Sequence, residues 1–296
     1  MISREIYTHG SKEFNYAYYP HSSSRYGLFF DAHWHDEWEF IYVRDGKLQF
    51  YVDGRLFTVQ KDEALLIDRY AIHAVSNREI RSGSAYHCFV FGLKFLCPDS
   101  ESYIYQRCFS RFQSDSISLT QHITGEKPYE REILRQMQYL EKYSADPRAN
   151  ALPIQIALLS IFDVLLRENA FTERPHSLTV QNERIKTALL YMNQEYQSPL
   201  QISSLAASLN ISTDYFIRLF KAMMGLTPKQ YLQNLRIQKA ISIMYSDPEL
   251  PISEIAQQTG FEDVNYFSRC FKKIIGLSPT QYQKNLPASR SPAAHG

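Results

Sequence analysis

The stretch that decides the fold is GFEDVNYFSRCFKKIIGLSPTQY, from Gly260 to Tyr282. It belongs to the second copy of an internal repeat. The first copy, ISSLAASLNISTDYFIRLFKAMMGLTPKQY, begins at Ile202 and ends at Tyr231, and the second begins at Ile252. A period of about fifty residues that preserves apolar, small and turn positions indicates two copies of one supersecondary unit.

Each copy has the pattern of a helix, a tight turn and a second helix. Ser203 and Ser253 are predicted to cap the first helices, because hydroxyl side chains accept hydrogen bonds from the first free backbone amides. Asn210 and Gly260 occupy the turn, where these two residue types tolerate a left-handed backbone. The sequence therefore predicts two helix-turn-helix units.

The second helix of each copy has one apolar and one polar face. Apolar residues recur at i, i+3, i+4 and i+7, which predicts a buried stripe. The stripe residues are Phe216, Leu219, Phe220 and Met223 in copy one, and Phe267, Cys270, Phe271 and Ile274 in copy two. The polar side chains of the opposite face are suited to contact base edges and phosphates of DNA. The alternative is that the two copies are helical hairpins whose charged faces are only solvated. The residues predicted to contact DNA are Thr213, Asp214, Ile217, Arg218, Lys221, Val264, Asn265, Ser268, Arg269 and Lys272.

The segment between the copies predicts one continuous helix from Tyr231 to Tyr245. At 1.5 Å per residue such a helix is roughly 22 Å long. A spacer of that length can place two recognition helices in successive major grooves, about 34 Å apart.

The repeat resembles the DNA-binding domain of the AraC family of bacterial transcription regulators. The resemblance covers Ile185 to Tyr282 and is most specific from Gly260 onward. One departure is Gln283, where members often carry a basic residue, so the phosphate contact made there is not carried over. The resemblance implies a regulator that binds double-stranded promoter DNA and recruits or blocks RNA polymerase. Activation and repression both stay open.

Composition and charge agree with a two-domain globular protein that binds DNA through one part. The 296 residues carry a net charge of +1, with 12 Lys and Arg against 8 Asp and Glu from residue 183 onward, and 20 against 23 before it. The four cysteines form no C-x-x-C pair, which argues against a disulfide framework or a zinc finger. Without an apolar leader at Met1 or a bilayer span, we expect a cytoplasmic, nucleoid-associated protein with no membrane partner.

The first hundred residues have the pattern of a β-rich domain. Asp45-Gly46 and Asp53-Gly54 lie between runs rich in Phe, Tyr, Val and Ile, and such pairs favour hairpin turns. The predicted strands, the first three forming a meander, are Trp38–Arg44, Lys47–Val52, Arg55–Gln60, Ala64–Asp68 and Ala85–Leu93. Many short strands predict a small barrel or sandwich.

A histidine-rich motif lies within these strands. Gly27, His33, His35, Glu39 and Gly46 match the spacing G-x5-H-x-H-x3-E-x6-G, which resembles the first motif of cupins. The His and Asn of the second cupin motif are present as His73 and Asn77, whereas Asp62, Asp68 and Tyr70 replace its Gly, Pro and Gly.

Three interpretations of His33, His35, Glu39 and His73 stay open. They could bind a divalent metal such as Zn, Mn, Fe or Ni, because nitrogen and oxygen donors on converging strands suit these ions. They could hydrogen-bond a small metabolite, or they could be structurally satisfied polar residues. A metal-dependent cupin enzyme fused to a DNA-binding domain is the alternative from another class; we expect no enzyme and assign no catalytic residue.

The resulting fold class is α+β with two domains, a cupin-like β-barrel plus helices followed by an all-α domain with two helix-turn-helix units. The expected parts are a barrel at 1–128, a helical segment at 129–172, a linker at 173–182, a DNA-binding domain at 183–287 and a disordered tail at 288–296. The apolar helix Leu152–Leu166 predicts a homodimer, unless it is buried against its own barrel. We expect a sequence-specific transcription regulator controlled by a small-molecule effector or a metal in the barrel.

Overall fold

The computed structural model describes residues 9–11, 13–22, 33–76, 84–113, 117–173 and 176–286. Two compact units are present. The first consists of Met1–Thr187 and Leu219–Gly225, and the second of Ala188–Arg218 and Leu226–Gly296. A strand-rich region followed by a helical one confirms the predicted α+β class. The motif residues Gly27 and Asn77 and the predicted tail 288–296 lie outside the described residues.

The first unit is built on short strands. They are β1 Tyr16–Ser22, β2 Trp38–Asp45, β3 Lys47–Val52, β4 Arg55–Gln60, β5 Ala64–Ile67, β6 His73–Ser76, β7 Ala85–Phe91, β8 Ile117–Ser118, β9 Gln121–Ile123 and β10 Thr172–Glu173. One sheet has the order β1-β7-β2-β5-β9, a second has the order β4-β3-β6, and β10 pairs with β8. All of these pairings are antiparallel.

The predicted meander is correct for one hairpin and wrong for the other. β3 and β4 form a hairpin around Asp53 and Gly54, whose φ angles of 46° and 80° suit a two-residue turn. β2 does not pair with β3, because its residues from Trp38 to Val43 are all buried and it lies between β5 and β7. The Asp45-Gly46 pair is therefore a corner at which the chain passes to the other sheet.

Two helices share a core with the larger sheet. They are α2 Pro128–Tyr143 and α3 Ala151–Arg167, and a short α1 Leu93–Leu96 precedes a π-helical turn at Tyr105–Phe109. Phe162 of α3 lies 5.0 Å from Trp38 and 5.5 Å from Phe109 between ring centroids. The helical segment predicted at 129–172 thus belongs to the same hydrophobic core as the barrel.

The predicted linker at 173–182 is mostly helical. α4 runs from His176 to Glu195, and Asn182, Ile185, Lys186, Leu189 and Met192 are buried on it at helical spacing. The sequence interpretation did not recognise this buried face, because two of its members, Asn182 and Lys186, are polar. Polar runs without capping residues are typical of linkers, so the segment was predicted to be one.

The second unit is helical. The helices after α4, of which only Leu219–Met224 of α6 belongs to the first unit, are α5 Ile202–Ser208, α6 Thr213–Met224, α7 Pro228–Ser246, α8 Ile252–Gln258, α9 Val264–Ile275 and α10 Pro279–Lys284. Ser203 and Ser253 lie inside α5 and α8, and the N-caps are Gln201 and Pro251. The predicted caps are therefore wrong, because each N-cap lies two residues earlier than predicted.

The turns and the spacer helix agree with their patterns. Asn210 and Gly260 have left-handed φ angles of 55° and 82°. α7 is one helix of 19 residues, roughly 28 Å long, and it begins with a capping box between Thr227 and Gln230. In the part of the chain that the structure describes, no helix combines the length and the apolar character needed to cross a membrane.

Candidate metal centre and nucleic-acid interface

Two chain segments bring the predicted histidines together. His33 and His73 form an isolated antiparallel bridge, in which each backbone N–H donates to the other residue's carbonyl oxygen at 3.0 Å. Their ring centroids are 4.3 Å apart, and the His35 ring lies 5.0 Å from that of His73. Glu39, on the buried strand β2, completes the group.

The four side chains form a compact donor set. One ligand atom from each of His33, His35, Glu39 and His73 lies within 4.8 Å of all the others. His33 is half-buried and the other three are buried. The structure thus places together all four residues that the motif spacing singled out.

Backbone contacts fix which nitrogen of two histidines faces the centre. Nδ1 of His35 lies 3.1 Å from the Glu37 carbonyl oxygen, and Nδ1 of His73 lies 2.9 Å from that of Ala71. A carbonyl oxygen only accepts, so each Nδ1 carries a proton, and in the neutral form of either imidazole the lone pair is on Nε2. Both Nε2 atoms approach Oε2 of Glu39, at 3.2 and 3.0 Å.

Burial shapes the charges of this cluster. Burial lowers the pKa of His35 to about 4. Burial alone would raise the pKa of Glu39, but the close approach of His73 and His35 holds it well below its usual range. Burial raises the pKa of the Cys88 thiol, which is hydrogen-bonded to Glu39. Near neutral pH the centre therefore holds a carboxylate and a neutral His35 imidazole.

When an imidazole is neutral with its proton on Nδ1, its Nε2 lone pair is repelled by a carboxylate that it faces unless a cation lies between them. Three imidazole nitrogens and one carboxylate oxygen are the donors that zinc, iron, nickel and manganese accept in proteins. The donor set therefore fits a divalent transition metal.

One neighbouring histidine was missed by the sequence interpretation. The ring centroid of His9 lies 4.8 Å from that of His35 in an edge-to-face arrangement. His9 lies far before the motif and outside its spacing, so no sequence pattern pointed to it.

The predicted DNA-contacting residues lie on two amphipathic helices. On α6, Asp214, Arg218 and Lys221 are exposed, and Thr213 and Ile217 are half-buried. On α9 four of the five predicted residues are exposed and one, Ser268, is half-buried. The exposed four are Val264, Asn265, Arg269 and Lys272. The buried stripes contain Phe216 and Phe220 on α6 and Phe267 and Phe271 on α9, as predicted.

The second helix-turn-helix also presents two residues that were not predicted. Tyr266 and Lys273 are exposed on α9, and the guanidinium carbon of Arg269 lies 5.8 Å from the Tyr266 ring centroid. Gln283, at the position where relatives often carry a basic residue, donates its side-chain amide to the Leu250 carbonyl at 2.8 Å. Gln283 thus serves the local fold in this chain.

Comparison with known families matches both parts. A helix-turn-helix domain family matches residues 205–285, and a cupin domain family matches residues 26–83. The chain is a transcription regulator of the AraC type. It combines a cupin domain with a DNA-binding domain and is a regulator rather than an enzyme.

Several proteins similar to this chain are named as regulators. The chain is 24% identical to the HTH-type transcriptional regulator YdeC of Bacillus subtilis, over 85% of each chain. It is 34% identical to the MmsAB operon regulatory protein of Pseudomonas aeruginosa, over 32% of this chain and 31% of that protein. A crystal structure of ToxT from Vibrio cholerae matches 93% of this chain and 98% of its own, at a TM-score of 0.45 and 14% identity.

Proposed function

We propose that this regulator senses a divalent transition metal in its barrel and that metal binding controls its binding to promoter DNA. His33, His35, Glu39 and His73 are the proposed ligands. The observation that carries the proposal is the approach of two Nε2 atoms, their protons fixed on Nδ1, to one carboxylate oxygen. That arrangement is stabilised by a cation more than by a neutral metabolite.

Contacts within the first unit offer a route from the metal ligands to α4. Trp34 lies between His33 and His35 in the chain, and Nζ of Lys186 lies 4.9 Å from its ring centroid. The same ammonium group lies 5.5 Å from the ring of Tyr70, whose backbone N–H donates to the His35 carbonyl at 2.8 Å. Lys186 therefore contacts both sides of the segment that holds His35.

A second contact reaches the other ligand segment. The Asn182 side-chain amide donates to Oδ1 of Asp53 at 2.9 Å, and that oxygen also accepts from the backbone N–H of Ile72 at 2.9 Å. Ile72 precedes His73. α4 thus contacts the neighbours of two ligands, and it ends at Glu195, beyond the last residue of the first unit's main segment, Thr187. A metal can shift the regulator between two states through this helix if its affinity for the two states differs.

The direct test measures metal content and DNA selection together. Full-length protein, chelated and then loaded with Zn²⁺, Mn²⁺, Fe²⁺ or Ni²⁺, is used to select fragments of genomic DNA. We expect one ion per chain and a metal-dependent set of fragments, both lost in His33→Ala. His122→Gln is the control, because His122 pairs with Glu63 and is not among the donors. A metabolite that restores selection without metal, or an unchanged response in His33→Ala, would contradict the proposal.

The route through α4 has its own test. Lys186→Ala should keep metal affinity near wild type but weaken the effect of metal on DNA binding. Lys142→Ala is a matched control, because Lys142 lies 5.3 Å from the Tyr143 ring on α2 in an exposed position. An unchanged metal response in Lys186→Ala would exclude this route while leaving the metal site in place.

We also propose a homodimer through the N-terminal unit, with promoter DNA and RNA polymerase as partners. Most apolar residues of α3 are buried in their own core, but Leu152 and Ile156, one turn apart, are 66% and 55% exposed. Leu152→Glu should therefore convert a dimer to a monomer in sedimentation. Leu56→Glu, at an exposed leucine of β4, is the control. A monomeric wild type at high concentration would contradict this part.

A further inference from the structure

The N-terminal segment is held beside the donor set by a tight turn. Ser11 and Phe14 exchange backbone hydrogen bonds, and Gly10 has a φ of 75°. A Cβ at Gly10 would lie 2.4 Å from the Phe14 carbonyl oxygen, so only glycine fits there. This turn precedes β1 and brings His9, nearly at the start of the described chain, next to the barrel histidines.

The His9 imidazole packs against the donor set as its members pack against one another. The three predicted imidazole ligands have ring centroids 4.3, 5.0 and 5.6 Å apart. The separation of His9 from His35, 4.8 Å, falls inside that range. His9 lies outside the set whose ligand atoms are all within 4.8 Å. A small inward movement of the ring would therefore be needed for it to join.

The two ring nitrogens of His9 differ in their hydrogen bonding. Nδ1 lies 3.1 Å from the hydroxyl oxygen of Tyr19 on β1. Nε2 is buried and has no hydrogen-bond partner among the residues that the structure describes. Burying a polar nitrogen without a partner is unfavourable, which indicates that a partner arrives from outside the described protein atoms.

The contact with Tyr19 leaves Nε2 available as a ligand atom. When Nδ1–H of His9 donates to Tyr19, the lone pair is on Nε2, the form in which histidine binds metals.

We propose that His9 supplies a fifth donor, through Nε2, to the metal bound by His33, His35, Glu39 and His73. Tyr19 is the positioning residue that orients the His9 ring through its contact with Nδ1. This inference rests on the proposed metal-sensing function and adds the regulatory element to it. Metal binding would hold the turn at Gly10 against the barrel, so that turn would respond to the metal.

Cobalt titration of the full-length chain tests the inference, because the visible d–d bands of Co²⁺ report coordination. We expect wild type to bind one Co²⁺ per chain. His9→Ala and His9→Gln should still bind one ion, at least about tenfold more weakly and with an altered spectrum. His122→Gln should match wild type, and His33→Ala should bind no ion at the site.

Tyr19→Phe separates positioning from packing. It should weaken Co²⁺ binding less than His9→Ala does, and it should have no further effect when His9 is already alanine. An effect of Tyr19→Phe that persists without His9 would show that Tyr19 does not act through His9, and it would overturn the positioning role.

The remaining outcomes distinguish the two proposals. If both His9 variants match wild type in affinity and spectrum while His33→Ala loses the ion, His9 is not a ligand and the metal sensor stands. If wild type binds no Co²⁺ and none of the other transition metals, the metal sensor fails and the role of His9 fails with it.

Discussion

The two helix-turn-helix units have one pattern but different surfaces. α9 carries Arg269, Lys272 and Lys273 with no acidic residue, whereas α6 carries Arg218 and Lys221 together with Asp214. A phosphate backbone attracts the first set more strongly than the second. The second helix-turn-helix is therefore expected to supply more of the affinity for DNA.

The turns of the two helix-turn-helix copies differ as well. Asn210 has the left-handed backbone in the turn of the first copy, and Gly260 has it in the turn of the second copy. A Cβ at Gly260 would lie 2.6 Å from the Tyr196 carbonyl oxygen and 2.8 Å from that of Gln197. The turn of the second copy is thus closely packed against backbone. It requires glycine because a Cβ would clash there, in addition to the left-handed φ angle.

The N-cap hydrogen bonds of α6 and α9 also differ in length. The Asp263 side chain accepts from the Tyr266 backbone N–H at 2.5 Å at the start of α9, whereas Ser212 accepts from Tyr215 at 3.3 Å before α6. The helix ends are alike, because Gly225 follows α6 and Gly276 follows α9, both with a left-handed backbone. A shorter N-cap hydrogen bond and a closely packed turn make the second helix-turn-helix the more rigid platform, which suits the copy with more cations.

Gly260→Ala should have the largest effect on stability. The left-handed backbone and the contact with two carbonyl oxygens should together cost roughly 2–4 kcal/mol of unfolding free energy. Asn210→Ala meets only the backbone strain and should cost about 1 kcal/mol. Urea denaturation of full-length protein, followed by helical circular dichroism, measures both. Equal costs would show that packing at the turn of the second copy is unimportant.

Arg269→Ala should have the next largest effect, a loss of roughly 1–3 kcal/mol in specific DNA affinity. Arg218→Ala should lose less, because Asp214 on the same helix already weakens the field there. Fluorescence anisotropy with a fragment selected from the genome, at two salt concentrations, gives both values. Wild-type affinity in Arg269→Ala together with lost binding in Arg218→Ala would reverse the ranking.

Asp263→Ala removes a cap and should cost about 0.5–2 kcal/mol of stability. Ser212→Ala should cost less, because its hydrogen bond is longer. Thermal unfolding of the two variants compares them directly. A larger loss of stability in Ser212→Ala than in Asp263→Ala would mean that the first helix-turn-helix depends more on its N-cap.

The smallest expected effect is a gain. Asp214→Asn removes an exposed negative charge near phosphate and should strengthen DNA binding by about 0.2–1 kcal/mol. The gain should decrease as salt rises. A loss confined to fragments with cytosine at one position would instead show that Asp214 accepts from a cytosine amine.

The two helix-turn-helix copies could be predicted well from the sequence, because the contacts that form each of them join residues close together in the chain. The turn residues, the stripes around Phe216 and Phe267, and the exposed cations follow from spacing within a short stretch. The cap positions were wrong by two residues, because the helices begin at Ile202 and Ile252 with no side-chain cap. Backbone geometry at helix ends is not recorded in periodicity.

The barrel was predicted less completely because its structure is non-local. Motif spacing located His33, His35, Glu39 and His73, but no pattern shows that β2 lies between β5 and β7 rather than beside β3. The start of α4 was interpreted as a linker because Lys186 and Asn182 are polar. His9 was missed because its approach to His35 depends on a turn at Gly10 and on tertiary packing.

The pairing of the first strand with the seventh bears on the timing of folding. Tyr16 pairs with Phe91, and Phe162 of α3 closes the core around both strands. This core cannot close before α3 has been made, whereas each helix-turn-helix closes through neighbours in the chain. Non-local closure is slow, so the barrel is expected to fold more slowly than either helix-turn-helix once its residues have been made. If the proposed ion binds only the folded barrel, it would favour completion of that step, and metal scarcity would reduce the yield of folded barrel.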